Sequence, residues 1–227
     1  MTDVLIYGIN GKMGKAVYAA AENRRDVNVV CGADKRVLGN FDCPVYQNLN
    51  QVSERVDAII DFSSSSSLDD ILSYAAEYGC ALVLATTGYT RAQIDGIREI
   101  SKIVPVYFSP NASLGANAVM KILPQLKKLL APFDVCITET HGARKTDKPS
   151  GTAIAIKKIL DENGSDTEIH SLRGGDVPGI HEITFLGEYE RVTVTHEAFS
   201  RRAFASGALD ACVKLVSLPP SLYVNLN

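Results

Sequence analysis

Short apolar runs alternate with amphipathic segments along the first half of the chain. The apolar runs are DVLIYG, VNVVCGA, DAIIDF, CALVLATTG and VPVYFS. Most of them are separated by segments with the apolar spacing of a helix, namely KMGKAVYAAAENR, SLDDILSYAAEYG and TRAQIDGIREISKI. This alternation of strand and helix predicts βαβ units. We therefore expect an α/β domain with a doubly wound parallel sheet and helices on both faces.

The pattern changes in the second half of the chain. A long helical pattern, SLGANAVMKILPQLKKLLA, leads into the strand-like run FDVCITETH and a second helical pattern, GTAIAIKKILDENG. Three strand-like runs then follow without a helix between them: TEIHSLR, HEITFLG and ERVTVTHEA. We expect them to be largely antiparallel and to form a smaller α+β domain. The last helical pattern, RRAFASGALDACVKLV, is expected to pack back on the first domain.

Three glycines, Gly8, Gly11 and Gly14, separate the first predicted strand from the first predicted helix. Their spacing is G-x-x-G-x-x-G, which differs from the strict G-x-G-x-x-G dinucleotide fingerprint. Gly8 can form the tight turn, and Gly11 lets the backbone approach a pyrophosphate at the helix N-terminus. Taken alone, the triplet is equally consistent with an ordinary turn between a strand and a helix.

Asp34 makes the dinucleotide interpretation the stronger one. It follows Gly14 by twenty residues and lies at the end of the second predicted strand. A carboxylate there can accept hydrogen bonds from both hydroxyls of an adenosine ribose, so the two features together predict a Rossmann-type domain. Lys35 and Arg36 could each pair with a 2′-phosphate, so NADPH and NADH both remain open as the cofactor.

Polar residues follow three further strands of the predicted sheet. The three segments are DFSSS at 61–65, ATTG at 85–88 and SPNAS at 109–113. Ligands of open α/β sheets bind at the carboxyl ends of the strands. Ser, Thr and Asn are also the ordinary residues of loops and helix caps, so one such loop alone would predict nothing. Three at successive strand ends favour a cofactor cleft.

The segment HGARKTDKPSGTA places cations and a histidine just before a helix start. Ser150 is a suitable N-cap, and the N–H groups of Gly151 and Thr152 then form an anion site. Lys145 can bring a positive charge to the same place, and His141 can donate a proton near neutral pH. The segment therefore predicts a carboxylate-binding helix start beside a general acid. A capped helix after a solvated loop is the alternative.

Composition and charge exclude several classes of partner. A formal charge of −3 and an isoelectric point near 5.8 provide no cationic field for nucleic acid or an anionic membrane. No apolar segment approaches the length of a membrane span. Five cysteines without a C-x-x-C pair favour reduced thiols, so we expect a soluble cytoplasmic protein. The four histidines show no paired spacing, so we predict no metal site and treat His170, His181 and His196 as structural or surface residues.

Seven motifs together resemble the 4-hydroxy-tetrahydrodipicolinate reductase (dihydrodipicolinate reductase) family of diaminopimelate and lysine biosynthesis. They are YGINGKMGKAV, DFSS, ATTGY, SPNASLGAN, HGARKTDKPSGTA, LRGGDVPGIHEITF and SRRAFASGAL. The most specific is K-x-D-x-P-S-G-T-A, at 145–153. The resemblance implies reduction of a cyclic unsaturated dicarboxylate to tetrahydrodipicolinate by NADPH or NADH, in a homotetramer. It also implies a dinucleotide-binding domain at 1–111 and 201–227, and a substrate-binding and oligomerisation domain at 112–200.

The resemblance also implies roles for individual residues. His141 would be the proton donor and Lys145 a second donor. The substrate-binding residues would be Gly142, Ser150, Gly151 and Thr152. The cofactor contacts would be Gly8, Ile9, Asn10, Gly11, Lys12, Met13, Asp34, Lys35, Ala85, Thr86, Thr87, Ser109, Pro110, Asn111 and Ala112.

One position departs from the family pattern, which usually has a second histidine where this chain has Gly142. The change removes a hydrogen-bond donor to a substrate carboxylate, and Arg144 could replace it. It also leaves open an alternative, a catalytically weak dinucleotide-binding regulatory protein on the same scaffold. Another oxidoreductase class is less consistent with the sequence, because no tyrosine is followed four residues later by the lysine of short-chain dehydrogenases.

Overall fold

Eleven strands and six α-helices form from the described residues of this computed structural model, which are 1–36, 38–109, 111–161, 164–224 and 226. The strands are β1 (Thr2–Tyr7), β2 (Val27–Ala33), β3 (Val45–Tyr46), β4 (Ala58–Asp61), β5 (Ala81–Leu84), β6 (Val106–Phe108), β7 (Asp134–His141), β8 (Glu168–Arg173), β9 (Ile180–Leu186), β10 (Arg191–Glu197) and β11 (Leu222–Tyr223). The helices are α1 (Lys12–Ala21), α2 (Leu68–Tyr78), α3 (Arg91–Ile100), α4 (Leu114–Leu129), α5 (Gly151–Leu160) and α6 (Arg202–Leu215). The chain divides into two units, Met1–Ser113 with Phe204–Asn227, and Leu114–Ala203.

The first unit contains a sheet of seven parallel strands. Across the sheet they run in the order β3-β2-β1-β4-β5-β6-β11, and every pairing is parallel. The strand order reverses between β1 and β4, which is the doubly wound Rossmann arrangement. The predicted fold class is thereby confirmed. The two-residue strands β3 and β11 were not predicted, because they are too short to show a periodic pattern.

Both faces of this sheet are covered, which explains why β1 is a continuous apolar run. Val4 and Ile6 point to one face, where they share a core with Leu209 of α6. Leu5 points to the other face, where it shares a core with Ile71 of α2. All five side chains are fully buried. Alternate residues of one strand therefore anchor helices on opposite faces of the sheet.

The second unit contains a four-stranded sheet in the order β10-β9-β7-β8. β9 is antiparallel to both β7 and β10, as expected, but β8 runs parallel to β7. The reason is that α5 connects β7 to β8, and a crossover helix returns the chain in the same direction. Leu123 of α4 and Ile156 of α5 share a core with Ile137, Ile183 and Phe185 of the sheet.

The alternation of side chains along β7 places polar groups on its buried face. Ile137, Glu139 and His141 are buried, whereas the residues between them are partly exposed. Because successive side chains of a strand point to opposite faces, the three share one side of the sheet. The carboxylate of Glu139 and the imidazole of His141 therefore lie on the same face of the strand as Ile137 of the apolar core.

Two further observations concern the molecule as a whole. No helix in the part of the chain that the structure describes is long and apolar enough to cross a membrane. All five cysteines carry free thiols, and three of them, Cys31, Cys80 and Cys212, are buried.

Candidate active site

The glycine loop forms a close backbone turn at the point where the strand order reverses. Gly8 has a φ of +82°, and a Cβ there would lie 2.9 Å from the carbonyl oxygen of Phe62, after β4. A Cβ at Gly14 would lie 2.2 Å from the carbonyl oxygen of Gly8. No described side chain caps the start of α1 at Gly11. The loop therefore leaves backbone N–H groups at a helix N-terminus, an arrangement that fits a pyrophosphate.

Asp34 lies beside this loop, as the sequence predicted for a ribose-binding carboxylate. Its Oδ2 accepts a hydrogen bond from the backbone N–H of Asn10 at 3.0 Å. The side chain of Asn10 donates to the carbonyl of Arg36, while its buried Oδ1 has no hydrogen-bond partner among the described residues. Lys35 places its Nζ 3.1 Å from Oγ of Ser66. The carboxylate of Asp34 and an unsatisfied acceptor, Oδ1 of Asn10, are thus both present at the glycine loop.

A buried carboxylate, Asp61, joins the loops that follow β4 and β5. It accepts hydrogen bonds from the backbone N–H of Ser63 at 2.9 Å and from the hydroxyl of Tyr89 at 3.0 Å. The backbone N–H of Ala85 donates to its carbonyl at 3.1 Å. Burial raises the pKa of the Asp61 carboxyl, and these hydrogen bonds oppose the rise. The two predicted cofactor loops are therefore tied together at the ends of their strands.

The third predicted loop follows β6. Ser109 donates through Oγ to the carbonyl of Asn111 at 2.8 Å, and the Asn111 side chain accepts from the N–H of Ser113 at 2.8 Å. Pro110, also predicted as a cofactor contact, lies outside the described residues. Buried and exposed positions both occur among the other predicted contacts, since Ile9, Thr86 and Ala112 are buried while Gly11, Lys12 and Thr87 are exposed.

In the second unit, His141 ends β7 against a buried carboxylate. Its Nδ1 lies 2.5 Å from Oε2 of Glu139, two residues earlier on the strand. The side chain of His141 is 11% exposed and that of Glu139 is 0% exposed. On its other side, a Cβ added to Gly179 would lie 3.0 Å from Nε2. The ring is therefore held at one nitrogen and bordered by a residue without a side chain at the other.

Arg173 of β8 holds Glu139 with both arms of its guanidinium. Its Nη2 donates to Oε1 at 2.7 Å and its Nη1 to Oε2 at 2.8 Å. The backbone N–H of Ser150 also donates to Oε1, at 3.3 Å. Burial alone would raise the pKa of Glu139, but the hydrogen bonds, that of Arg173 foremost, lower it to about 2. Glu139 is therefore a carboxylate at neutral pH.

The surroundings of His141 favour its neutral form. Burial lowers the pKa of the imidazole, Glu139 raises it, and the positive charges of Lys145 and Arg173 lower it further. The net effect leaves the pKa below its usual value. In this environment an added negative charge near the ring would favour the protonated form.

The start of α5 is capped as the sequence predicted. Oγ of Ser150 accepts a hydrogen bond from the N–H of Ala153 at 3.2 Å, and Gly151 and Thr152 form the first turn. Ser150 Oγ also lies 3.1 Å from Nε2 of His181. Burial lowers the pKa of His181 to about 3, so this ring is neutral. Through Glu139 and Ser150, one hydrogen-bond network joins His141 to the helix start.

Lys145 and Gly142 lie on the loop between β7 and α5. Nζ of Lys145 is 2.8 Å from a carboxylate oxygen of Asp147. The N–H of Gly142 donates to the carbonyl of Val177 at 2.9 Å. A Cβ at Gly142 would make ordinary van der Waals contact, at 3.4 Å from Cα of Asp176. The loop therefore has room for a side chain at position 142.

Comparisons with known proteins bear on both units. A family model described as "Dihydrodipicolinate reductase, N-terminus" matches residues 2–112, and one described as "Dihydrodipicolinate reductase, C-terminus" matches residues 115–226. The chain belongs to the dihydrodipicolinate reductase family. The two matches meet near the division between the two units at 113–114. The second match extends through α6, whose residues from Phe204 onward belong to the first unit.

Individual members of the family are similar in sequence to this chain over nearly its whole length. A 4-hydroxy-tetrahydrodipicolinate reductase from Clostridium novyi is 37% identical, covering 98% of this chain and 96% of the relative. Another from Clostridium tetani is 35% identical, covering 98% and 95%. The solved dipicolinate-bound dihydrodipicolinate reductase from Paenisporosarcina sp. TG-14 has a TM-score of 0.80 at 23% identity, covering 100% of this chain and 98% of that chain. This last likeness supports the fold.

Three residues beside His141 were not predicted as site residues. They are Glu139, Arg173 and His181. The signal for two of them was strand alternation, because Glu139 is in phase with buried Ile137, and His181 with buried Ile183. Only the pairing of β8 with β7 brings Arg173 to Glu139, and the sequence did not indicate that pairing.

The remaining histidines differ in their surroundings. His170 is exposed, with a side chain 52% accessible. His196 stacks on His181 with ring centroids 6.1 Å apart. Among the described residues, no group of three or more His, Cys, Asp or Glu side chains is arranged to hold a metal ion.

Proposed function

We propose that this chain catalyses the NAD(P)H-dependent reduction of 4-hydroxy-tetrahydrodipicolinate (dihydrodipicolinate) to tetrahydrodipicolinate, in the pathway to diaminopimelate and lysine. Membership of the dihydrodipicolinate reductase family supports the reaction. One observation carries the chemistry within the chain. It is the buried pair of His141 and Glu139, which the hydrogen bond from Ser150 to Glu139 joins to the start of α5.

In this proposal the first unit binds the cofactor. Bound NADPH or NADH supplies a hydride to the substrate. The N–H groups at the start of α1 bind the pyrophosphate, since no side chain among the described residues caps the helix at the exposed Gly11. Asp34 accepts hydrogen bonds from the ribose. The loops at 61–65, 85–88 and 109–113 complete the predicted contacts with the cofactor.

The second unit binds the dicarboxylate substrate. The proposed carboxylate site combines two sources of positive potential, the N-terminus of α5 and the side chain of Lys145, whose charge also lowers the pKa of His181 beside Ser150. The N–H groups of Gly151 and Thr152 are suited to donate to one carboxylate. Lys145 stabilises the negative charge that develops as the hydride is added, and it is a second donor of protons. Ser150 sets the geometry of the helix start through its cap.

His141 supplies the proton that completes the reduction. In the free protein its pKa lies below the usual value because the ring is buried. Binding of a dicarboxylate adds negative charge near the ring, which raises the pKa and favours the imidazolium. The imidazolium then gives its proton to the reduced substrate and returns to the neutral form. When the substrate is in its 4-hydroxy form, the hydroxyl also leaves, as water. The ring recovers a proton from water before the next turnover.

The assignment is tested by following NAD(P)H oxidation while the upstream aldolase generates the substrate. Purified protein should oxidise the cofactor only when the aldolase and its substrates are present. Calorimetric titration of the cofactor in parallel separates two kinds of failure. Cofactor binding without substrate-dependent oxidation, in folded protein, would contradict a reductase and favour a regulatory dinucleotide-binding protein.

Assembly and location belong to the same proposal. We propose a homotetramer in the cytoplasm that does not bind nucleic acid. Leu172 and Leu186 support assembly through the four-stranded sheet, because they are exposed on the face opposite α4 and α5. Free thiols on all five cysteines are consistent with a reducing compartment. Light scattering after size exclusion should give four times the mass of the chain, and a monomer mass would contradict the tetramer.

A further inference from the structure

We infer that Glu139 is a positioning residue for His141, which holds the neutral imidazole with its hydrogen on Nδ1 and so makes Nε2 the nitrogen that exchanges a proton with the substrate. The inference rests on the proposed function for the identity of the substrate. It concerns a residue outside the motif that resembles the family's catalytic segment, and it names one nitrogen of the ring.

Glu139 is poorly placed to act on a substrate itself. Its side chain is 0% exposed, and both oxygens are already engaged by Arg173. Oε1 also accepts from the N–H of Ser150, and Oε2 lies 2.5 Å from Nδ1 of His141. A carboxylate with this set of partners has little capacity left for a further ligand. Its effect on chemistry must therefore act through the groups that it holds.

The contacts of Glu139 decide which nitrogen of His141 carries the hydrogen. An ionised carboxylate is only an acceptor of hydrogen bonds. The two N–H groups of Arg173 and the N–H of Ser150 all require an acceptor, so they keep Glu139 ionised. Nδ1 of His141 must then be the donor of the contact at 2.5 Å. In the neutral ring, the second nitrogen, Nε2, is left with a lone pair.

The nitrogen left for proton exchange, Nε2, lies against Gly179. A Cβ at Gly179 would lie 3.0 Å from this atom, so any larger residue would crowd it. Protonation at Nε2 gives an imidazolium whose charge is stabilised by Glu139 through Nδ1. The imidazolium then gives the Nε2 proton to the substrate. The hydrogen on Nδ1, which is hydrogen-bonded to Glu139, stays in place throughout. Glu139 orients the ring and stabilises its charged form without becoming protonated.

Four charged or titratable groups influence this ring. Glu139 lies on the same strand, Arg173 on β8, His181 on β9 and Lys145 on the loop that follows β7. Lys145 and Arg173 act against protonation of His141, and the neutral ring of His181 lies 5.3 Å away between centroids. Glu139 is the one of the four that favours the imidazolium. Its removal should therefore lower the pKa of His141.

The tautomer is measured directly on the wild-type protein by nitrogen-15 NMR of the histidine side chains. The His141 signals are assigned by their loss in His141→Asn. Above the pKa of His141, the structure requires a protonated Nδ1 and an unprotonated Nε2. The opposite tautomer, or an equal mixture of the two, would overturn the inference. This measurement needs no turnover, so it remains decisive if the proposed reaction is wrong.

Kinetics provide the second measurement. If protonated His141 is the acid, kcat/KM falls as pH rises through the pKa of His141 in the free enzyme. In Glu139→Gln this decline should move to lower pH by about one unit, because a nearby opposite charge shifts a pKa by about 1–3 units. Above the pKa, one unit means about tenfold less protonated enzyme. A purely structural role would lower stability and leave the decline at the same pH.

Glu168→Gln is the matched control. Glu168 precedes His170 by two residues on β8, as Glu139 precedes His141 on β7, but both side chains are exposed, and the pair is 3.7 Å apart. This variant should leave the pH profile unchanged. An unshifted profile in folded, active Glu139→Gln overturns the inference. If Glu139→Gln fails to fold, because Arg173 loses its partner, the wild-type tautomer decides the matter. A wild-type protein without turnover contradicts the proposed function alone.

Discussion

Nε2 of His181 lies 3.1 Å from Oγ of Ser150, the residue that caps α5. This contact places a buried imidazole against the proposed substrate-binding helix start. Because burial holds the pKa of His181 at about 3, the ring stays neutral in the folded protein over the physiological pH range. Because this buried ring is neutral in the folded protein, the free energy of unfolding depends on pH.

Stability should fall as the pH is lowered below about 6.5, where an unfolded histidine takes up a proton. Folded His181, with a pKa of about 3, stays unprotonated there, so the unfolded state binds more protons. The contribution of His181 is complete above pH 6.5 and is lost as pH falls toward 3. The loss amounts to at most about 1.4 kcal/mol per pH unit.

Urea unfolding of wild type and His181→Gln at several pH values between about 4.5 and 7 measures this effect. The variant should lose stability less steeply as the pH falls. Some slope should remain, because His141 and His196 also have lowered pKa values. His170→Gln, at an exposed histidine, should keep the wild-type slope. Equal slopes in all three proteins would mean that His181 is not buried in its neutral form.

Gly14→Ala should weaken cofactor binding and destabilise the first unit. The added Cβ would lie 2.2 Å from the carbonyl oxygen of Gly8, so the backbone of the loop must shift. We expect a loss of about 1–3 kcal/mol of stability and of about tenfold or more in affinity for NADH.

Gly96→Ala is the control for this substitution. Gly96 also lies inside a helix, but its added Cβ would meet only the end of the Leu72 side chain, at 3.3 Å. Thermal unfolding and calorimetric titration compare the two variants. Similar NADH affinities would show that the close approach at Gly14 is not needed for binding.

Gly179→Ala should reduce turnover more than it reduces stability. The new methyl group would lie 3.0 Å from Nε2 of His141, the nitrogen that we assign to proton exchange. Gly174→Ala is the control, because a Cβ there meets nothing within 4 Å. Steady-state kinetics and thermal unfolding of both variants test the expectation. Equal kcat values in the two variants would place the reactive nitrogen elsewhere.

Lys35→Ala should weaken NADPH binding selectively. Its ammonium group lies 3.1 Å from Oγ of Ser66, and the residue directly follows Asp34, whose carboxylate we assign to the ribose. A 2′-phosphate would gain a charge-assisted hydrogen bond from this lysine, whereas NADH has no group there to receive it. The ratio of kcat/KM for the two cofactors is the measurement. A loss of equal size for both would show that Lys35 does not recognise the phosphate.

The parallel sheet was predictable because its central strands are buried on both faces and leave unbroken apolar runs, such as β1. The capped start of α5 was predictable too, since Ser150 ahead of a segment with helical apolar spacing is a local signal for a helix N-terminus. The edge strands β3 and β11 have two residues each and carry no such pattern.

The partners of His141 were harder to predict from the sequence. Glu139 and His181 show the alternation of buried strand residues, but a charged or titratable residue at a buried position is ordinarily assigned to the surface. Arg173 reaches Glu139 only because β8 runs parallel to β7, and that pairing depends on tertiary structure. The local sequence pattern therefore predicted His141 and the start of α5, which belong to the motif. The partners that hold them, such as Glu139 and Arg173, became evident only from the fold.

The central claim is that this chain is a reductase in which His141 donates the proton. The most direct test is the kcat of His141→Ala for NAD(P)H oxidation, with aldolase-generated substrate and His170→Ala as control. We predict that kcat falls by about 10² to 10⁴, that cofactor affinity is retained, and that the control behaves as wild type. A His141→Ala protein with the kcat of wild type would contradict the account.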